Sequence, residues 1–203
     1  MKRGGQKAKG NAYERVVAKI FTETYYPAED GEFRRVPLSG GWDKRAAPGD
    51  LIALKYVDKE GEEMVIDRSF PFLVECKTWK DENVKHFFSG LYSEDSIFFD
   101  WMLQACGDSS LARRLPLVVF KLYRTENVAM IVSTDFYQLA NLFGNFVGKI
   151  YNIEKIMPKD EGAVPQKLVF VLLKDFLEWI DWEVYKLSNK VRSIKSLTDE
   201  VKE

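Results

Sequence analysis

Two short segments carry residues that could act on a phosphodiester. Asp50 follows Pro48 and Gly49 and opens the apolar run Leu51-Ile52-Ala53-Leu54, while Glu75-Cys76-Lys77 closes the run Phe72-Leu73-Val74. Side chains alternate along a strand, so Glu75 and Lys77 share one face and Cys76 takes the other. Two carboxylates and an ammonium on adjacent strands would make a magnesium site with a lysine beside the attacking water. Magnesium favours one or two carboxylates together with phosphate oxygens and retained waters. Such a site suits phosphodiester hydrolysis, and nucleic acid is the implied substrate. Each residue also has a purely local reading, Asp50 as a turn residue and Glu75 and Lys77 as exposed residues at a strand end.

The elements around these segments must position them. If Asp50 stands opposite Glu75 in an antiparallel pair, the turn falls in the polar stretch Asp58–Glu63, which carries Gly61. Pro71 cannot donate to a ladder and disturbs that register. Residues 1–10 read as a flexible basic arm. Asn11 then has the character of a helix N-cap, with Glu14 three positions on as in a capping box. Tyr13, Val16, Val17, Ile20 and Phe21 form an apolar stripe, and Pro27 marks the end of the helix. Glu14, at the margin of that stripe, could cap the helix or reach toward a metal on the sheet.

Phe33–Pro37 reads as a short strand, followed by the loop Ser39-Gly40-Gly41-Trp42. The aromatic-rich stretch 81–99 reads as an insertion, which could stack on bases or pack as a satellite core. A helix from Asp100 to Leu111 carries Gln104. The run Leu117–Tyr123 and the run Val128–Val132 form a second hairpin, and a helix follows to about Phe143. Residues 152–166 read as a loop, Leu168–Leu173 as a last strand, and Asp175 as the cap of a long C-terminal helix. That order predicts an α/β (α+β) domain with a mixed central sheet flanked by helices.

Composition narrows the classes. The 203 residues are 46% hydrophobic and 30% charged, which gives an ordinary globular chain with a sizeable core. No run of 18 apolar residues would cross a membrane, the N-terminus lacks a secretory h-region, and two cysteines make no disulfide framework; a cytoplasmic protein is expected, in host cytoplasm if the gene is a phage's. His86 is the sole histidine, so zinc chemistry and histidine triads are disfavoured. The formal charge is only −1, yet Lys2, Arg3, Lys7 and Lys9 crowd the N-terminus, and Arg34, Arg35, Lys44 and Arg45 precede Asp50. Clusters abutting the candidate metal site suit a polyanion, whereas an ordinary solvated arm and loop would carry the same residues.

From Gly10 to Val132 the ordered motifs resemble the PD-(D/E)XK nuclease superfamily, and within it the archaeal-type Holliday junction resolvases and their phage relatives. They are Gly10–Arg15, Arg34-Arg35, Ser39-Gly40-Gly41, Pro48-Gly49-Asp50, Val74–Lys77, Gln104 and the strand Val118–Lys121. Gly49, between Pro48 and Asp50, departs from the pattern and would loosen the turn. The resemblance implies a restriction-endonuclease-like core over 11–133, with a C-terminal extension over 134–203 packed on it. It implies Asp50, Glu75 and the Cys76 carbonyl as metal ligands, Glu14 acting directly or through water, and Lys77 stabilising the transition state. Arg15, Arg34, Arg35 and Ser39 would hold DNA, with the basic clusters, while Gln104 and Lys121 would support the site. The implied cofactor is Mg2+, with Mn2+ substituting.

The expected activity is resolution of four-way DNA junctions. A nuclease acting on linear or branched duplex shares the motif, and a non-catalytic DNA-binding module with a relic fold is the reading from another class. A symmetric junction implies a homodimer. Leu177, Ile180, Val184, Leu187, Val191 and Ile194 follow helix-seam spacing, with Trp179 and Trp182 as apolar anchors near its start, so the C-terminal helix is a candidate interface. The same stripe could instead pack on its own sheet.

Overall fold

The computed structural model describes residues 4–28, 30–36, 48–57, 63–79, 97–122, 124–154 and 167–185. It contains two sheets. In the smaller one β1 (Gly31–Arg35), β2 (Leu51–Tyr56) and β3 (Met64–Ile66) lie side by side in that order, all antiparallel. The larger has the order β4-β5-β6-β8-β7, from β4 (Phe72–Thr78), β5 (Leu115–Lys121), β6 (Asn127–Val132), β7 (Tyr151–Glu154) and β8 (Lys167–Leu172).

Among the described strands only β4 and β5 run parallel, with Glu75 opposite Val118 and Lys77 opposite Phe120. A parallel pair needs a crossover, and α2 (Ile97–Ala112) supplies it. β5 is covered on both faces, which explains its unbroken apolar run. Leu117 and Val119 point into a core shared with α1 (Gly4–Tyr25), α3 (Ser133–Phe143) and α4 (Leu173–Trp179). Val118 and Phe120 point the other way, onto Phe98, Met102 and Ala105 of α2. The mixed sheet flanked by helices is the architecture expected from the sequence.

Several local expectations change. β2 pairs with β3, not with β4: Leu54 faces Ile66 and Tyr56 faces Met64. The ladder stops before Pro71, and the chain crosses to the second sheet, where Leu115 N–H donates to the Pro71 carbonyl at 2.8 Å. Asp50 and Glu75 therefore meet across a junction of two sheets. The basic segment is not an arm throughout, since α1 begins at Gly4 and Asn11 lies inside it. Gln6, Lys7, Ala8 and Lys9 are good helix formers, which carries the helix past the glycines. Tyr13, Val17, Phe21 and Tyr25 are its buried ridge, while Val16 is 52% exposed.

Residues after 133 do more than pack on a finished core. β8 inserts between β6 and β7 and so completes the sheet. Asn152–Glu154, expected in a loop, belong to β7. Of the 81–99 insertion, residues 97–99 are described, and Phe98 and Phe99 pack into the α2 core. The C-terminal helix is broken as well. α4 ends at Trp179, Ile180 is extended, and the Asp181 carboxylate accepts the backbone N–H groups of Glu183 and Val184 at 3.1 and 3.0 Å, capping a new turn. Leu177, Ile180 and Trp182 are buried in the core, Trp182 edge-on to Tyr25 and Phe72. Trp179 packs on Phe136, Phe143 and Phe146. Trp182 is thus buried and Trp179 partly buried within this chain, the packing that the alternative reading of the stripe expected; Leu187, Val191 and Ile194 lie outside the described residues.

Candidate active site at the junction of the two sheets

Among the described strands β4 is the edge of its sheet, so none of them pairs with its outer N–H groups. The Gly49-Asp50 turn fills that role. Asp50 N–H donates to the Val74 carbonyl at 2.9 Å, and the Cys76 N–H donates to Asp50 Oδ2 at 2.8 Å. Asp50 also accepts from Val36 N–H through its own carbonyl at 2.9 Å. One residue thereby ties the two sheets together. The approach is close because Gly49 has φ +88° and a Cβ there would stand 3.1 Å from the Val74 oxygen and from Leu73 Cγ. The glycine does not loosen the turn; only glycine takes that conformation and contact without strain.

Across from Asp50, Glu75 is 3% exposed. Its Oε2 accepts from Lys77 Nζ at 2.9 Å and from Gln104 Nε2 at 3.3 Å, and Lys77 Nζ also donates to Gln104 Oε1 at 3.0 Å. Gln104 thus bridges acid and ammonium from α2. Burial, followed by the Asp50 charge, pushes the Glu75 carboxyl up to about 7 despite the nearby Lys77. The Asp108 charge adds to the push. Asp108 lies one helical turn after Gln104 on α2, and sequence reading passed over it although that spacing puts both on one face. Burial and the charges of Asp50, Glu14 and Glu75 hold the Cys76 thiol well above its ordinary value, so it stays protonated.

Glu14 does not cap α1, which starts ten residues earlier. It is directed to the site: burial and then the Asp50 charge raise its carboxyl, against the pull of Arg35. Arg35 Nε donates to Glu14 Oε2 at 2.5 Å. Arg34 pairs with Glu32 on the same strand. Arg15, Lys19, Arg34 and Arg35 line an open groove of about 500 Å³ between α1 and β1.

Asp50, Glu75, Lys77, Gln104 and Glu14 are thus brought to one locality, with Arg15, Arg34 and Arg35 alongside. Lys121 is not. It stands opposite Thr78 in the parallel ladder, so it belongs to the sheet face opposite that of Glu75 and Lys77. Lys7 and Lys9 lie on the first turns of α1. Lys2, Arg3, Ser39, Lys44 and Arg45 are outside the described residues.

Among the described residues no three His, Cys, Asp or Glu side chains form a group that could enclose an ion. The donor chemistry nonetheless fits a hard divalent cation. Burial, and second the Asp50 charge, disfavours an ionised Glu75, a cost that a cation would offset, and magnesium takes most of its ligands from water and phosphate. No helix of the described residues is long and apolar enough to cross a membrane.

The family described as "Phage putative PDDEXK endonuclease" matches residues 5–184. No curated protein and no solved structure matches the chain. The family match spans α1 through the turn capped by Asp181, so it takes in both sheets and all the carboxylates at their junction. With the mixed sheet between helices, it makes this chain a member of the phage PDDEXK endonuclease family of the PD-(D/E)XK nucleases.

Proposed function

We propose that the chain is a magnesium-dependent endodeoxyribonuclease that resolves four-way DNA junctions, with its site at the junction of the two sheets. The observation that carries the reading is the pairing of Asp50, held on Cys76 N–H, with the buried Glu75 that is bonded to Lys77. Asp50 and Glu75 would hold the cation, with Glu14 contributing directly or through water. When bound, a divalent ion lowers the pKa of water and offsets phosphate charge. Lys77, bonded to Glu75 and Gln104, would stabilise charge developing on the phosphate. Gln104 fixes the Lys77 head group relative to Glu75. Arg15 and Arg34 offer charge-assisted bonds to the DNA backbone along the α1–β1 groove, and Lys2, Arg3, Lys7, Lys9, Ser39, Lys44 and Arg45 extend that role.

Junction resolution further requires two sites related by a two-fold axis, hence a homodimer. Because Leu177, Ile180 and Trp182 are used in the core, a seam from the C-terminal segment would start beyond them. Replacing Leu187 and Val191 with Glu and measuring mass by light scattering tests that part. Substrate preference is tested by incubating the protein and magnesium with an immobile four-way junction and with linear duplex of equal sequence. Paired incisions confined to the junction are expected. Equal cleavage of both would leave an endonuclease for duplex DNA and remove the junction reading.

A further inference from the structure

We propose that Arg35 is a clasp between the carboxylate cluster and the DNA groove: without DNA it neutralises Glu14, and on DNA binding it passes to a backbone phosphate and releases Glu14 to the divalent ion. The proposal rests on the metal-dependent reading of the site given above.

Arg35 both pairs with the carboxylate of Glu14 and lines a groove that holds three other cations and the Glu32 carboxylate. At the end of β1, its Nε lies 2.5 Å from Glu14 Oε2, with the two side chains 20% and 13% exposed. On its other side it lines the groove with Arg15, Lys19 and Arg34. Without DNA, three carboxylates, Glu14, Asp50 and Glu75, stand against two cations, Lys77 and Arg35. Drawing Arg35 away removes one of those cations and raises the attraction for a divalent ion. Breaking a partly buried pair outright leaves an uncompensated charge. Exchanging a carboxylate for a phosphate avoids that, because guanidinium forms the same planar, forked bonds with either. Arg34, paired with Glu32 on the same strand, has no such link to the cluster.

Linkage gives the clasp a measurable signature, since DNA and metal must then raise each other's affinity by a common factor. Mn2+ binding is read by electron paramagnetic resonance in DNA-free wild type, Arg35→Gln and Arg34→Gln. It is repeated with a phosphorothioate-protected duplex shown intact on a gel afterwards, and thermal melting tracks the fold. Arg35→Gln is expected to bind Mn2+ about tenfold more tightly without DNA, within the range of about 5- to 150-fold typical of coupled sites. The Mn2+–DNA coupling factor should fall by the same amount, whereas Arg34→Gln, which removes a groove contact, should weaken DNA binding without lowering that factor. Arg35→Lys, which keeps the charge and loses the fork, should move both quantities the same way by less. Unchanged or weaker Mn2+ binding in Arg35→Gln and Arg35→Lys, or undiminished coupling, would assign Arg35 to holding β1 against α1 and overturn the clasp. Mn2+ binding as tight in Asp50→Asn as in wild type would instead overturn the metal site itself.

Discussion

Glu75→Gln should stabilise the metal-free protein at alkaline pH. Glu75 is buried beside the Asp50 carboxylate, and its carboxyl is moved from 4.5 to about 7. The folded state therefore holds a proton on Glu75 that the unfolded chain releases between those values. Wild-type stability is full below 4.5, declines as pH rises through about 7, and stays reduced above it. At about 1.4 kcal/mol for each tenfold change, the ionised carboxylate costs about 3 kcal/mol at pH 8. Glutamine is nearly isosteric and uncharged, so it escapes that cost. If it forfeits one hydrogen bond of about 1 kcal/mol, the net gain is about 2 kcal/mol. At about 2–4 °C per kcal/mol for a chain of this size, Tm should rise by about 4–8 °C. The assay is thermal melting in EDTA at pH 8 and again at pH 4, where wild-type Glu75 is largely protonated in both states, so the gain should disappear and leave the variant less stable by about the 1 kcal/mol of the lost hydrogen bond. A Glu75→Gln protein no more stable at pH 8, or shifted equally at both pH values, would refute the argument from burial and charge.

Three further outcomes test the surrounding structure. Gly49→Ala should cost about 1–3 kcal/mol by melting, from the positive φ and the contact with Val74 and Leu73, and should slow cleavage by displacing Asp50. Asp67 is buried, but bonds from Ser69 and from the Tyr26 hydroxyl at 2.6 Å outweigh burial and hold its carboxyl below the usual range. Asp67→Ala should therefore lose about 2–3 kcal/mol at pH 7, with the difference shrinking as pH falls below about 3.8 and on through the lower folded value. Trp182→Ala should cost about 3–5 kcal/mol in chemical denaturation as a core truncation, while Val184→Ala, at a half-exposed position, should stay within about 0.5 kcal/mol.

Much of the fold was legible because apolar pattern reports burial. The segments expected at 72–77, 117–123, 128–132 and 168–173 each became a strand within a residue or two, and the two-sided burial of β5 follows from its lack of alternation. Partner choice was not legible. β2 does pair antiparallel with the strand that follows it, but that strand is β3, which ends at Ile66, and β4 pairs with β5. Periodicity also ran straight through the break at Ile180, since Leu177, Ile180 and Val184 keep helical spacing across it. Asp181, a good N-cap residue followed by Trp-Glu-Val, was the local signal for a restart. At the site, the residue types and their order drew attention to Asp50, Glu75, Lys77 and Gln104. What spacing could not give was the junction of two sheets, with the β4 edge leaving an N–H for Asp50 to satisfy, or the Arg35–Glu14 pair, which depends on how α1 lies against β1.

Divalent-dependent cleavage of DNA by wild type and Asp50→Asn, with DNA binding measured on the same preparations, tests the assignment most directly. Asp50→Asn loses one negative charge facing phosphate and keeps a side-chain oxygen for the Cys76 N–H, so the fold and DNA affinity should persist or affinity should rise. Cleavage by wild type should require added Mg2+ or Mn2+, and Asp50→Asn should show none above the metal-free background. Full metal-dependent cleavage by a folded Asp50→Asn protein would contradict a catalytic site at the junction of the two sheets.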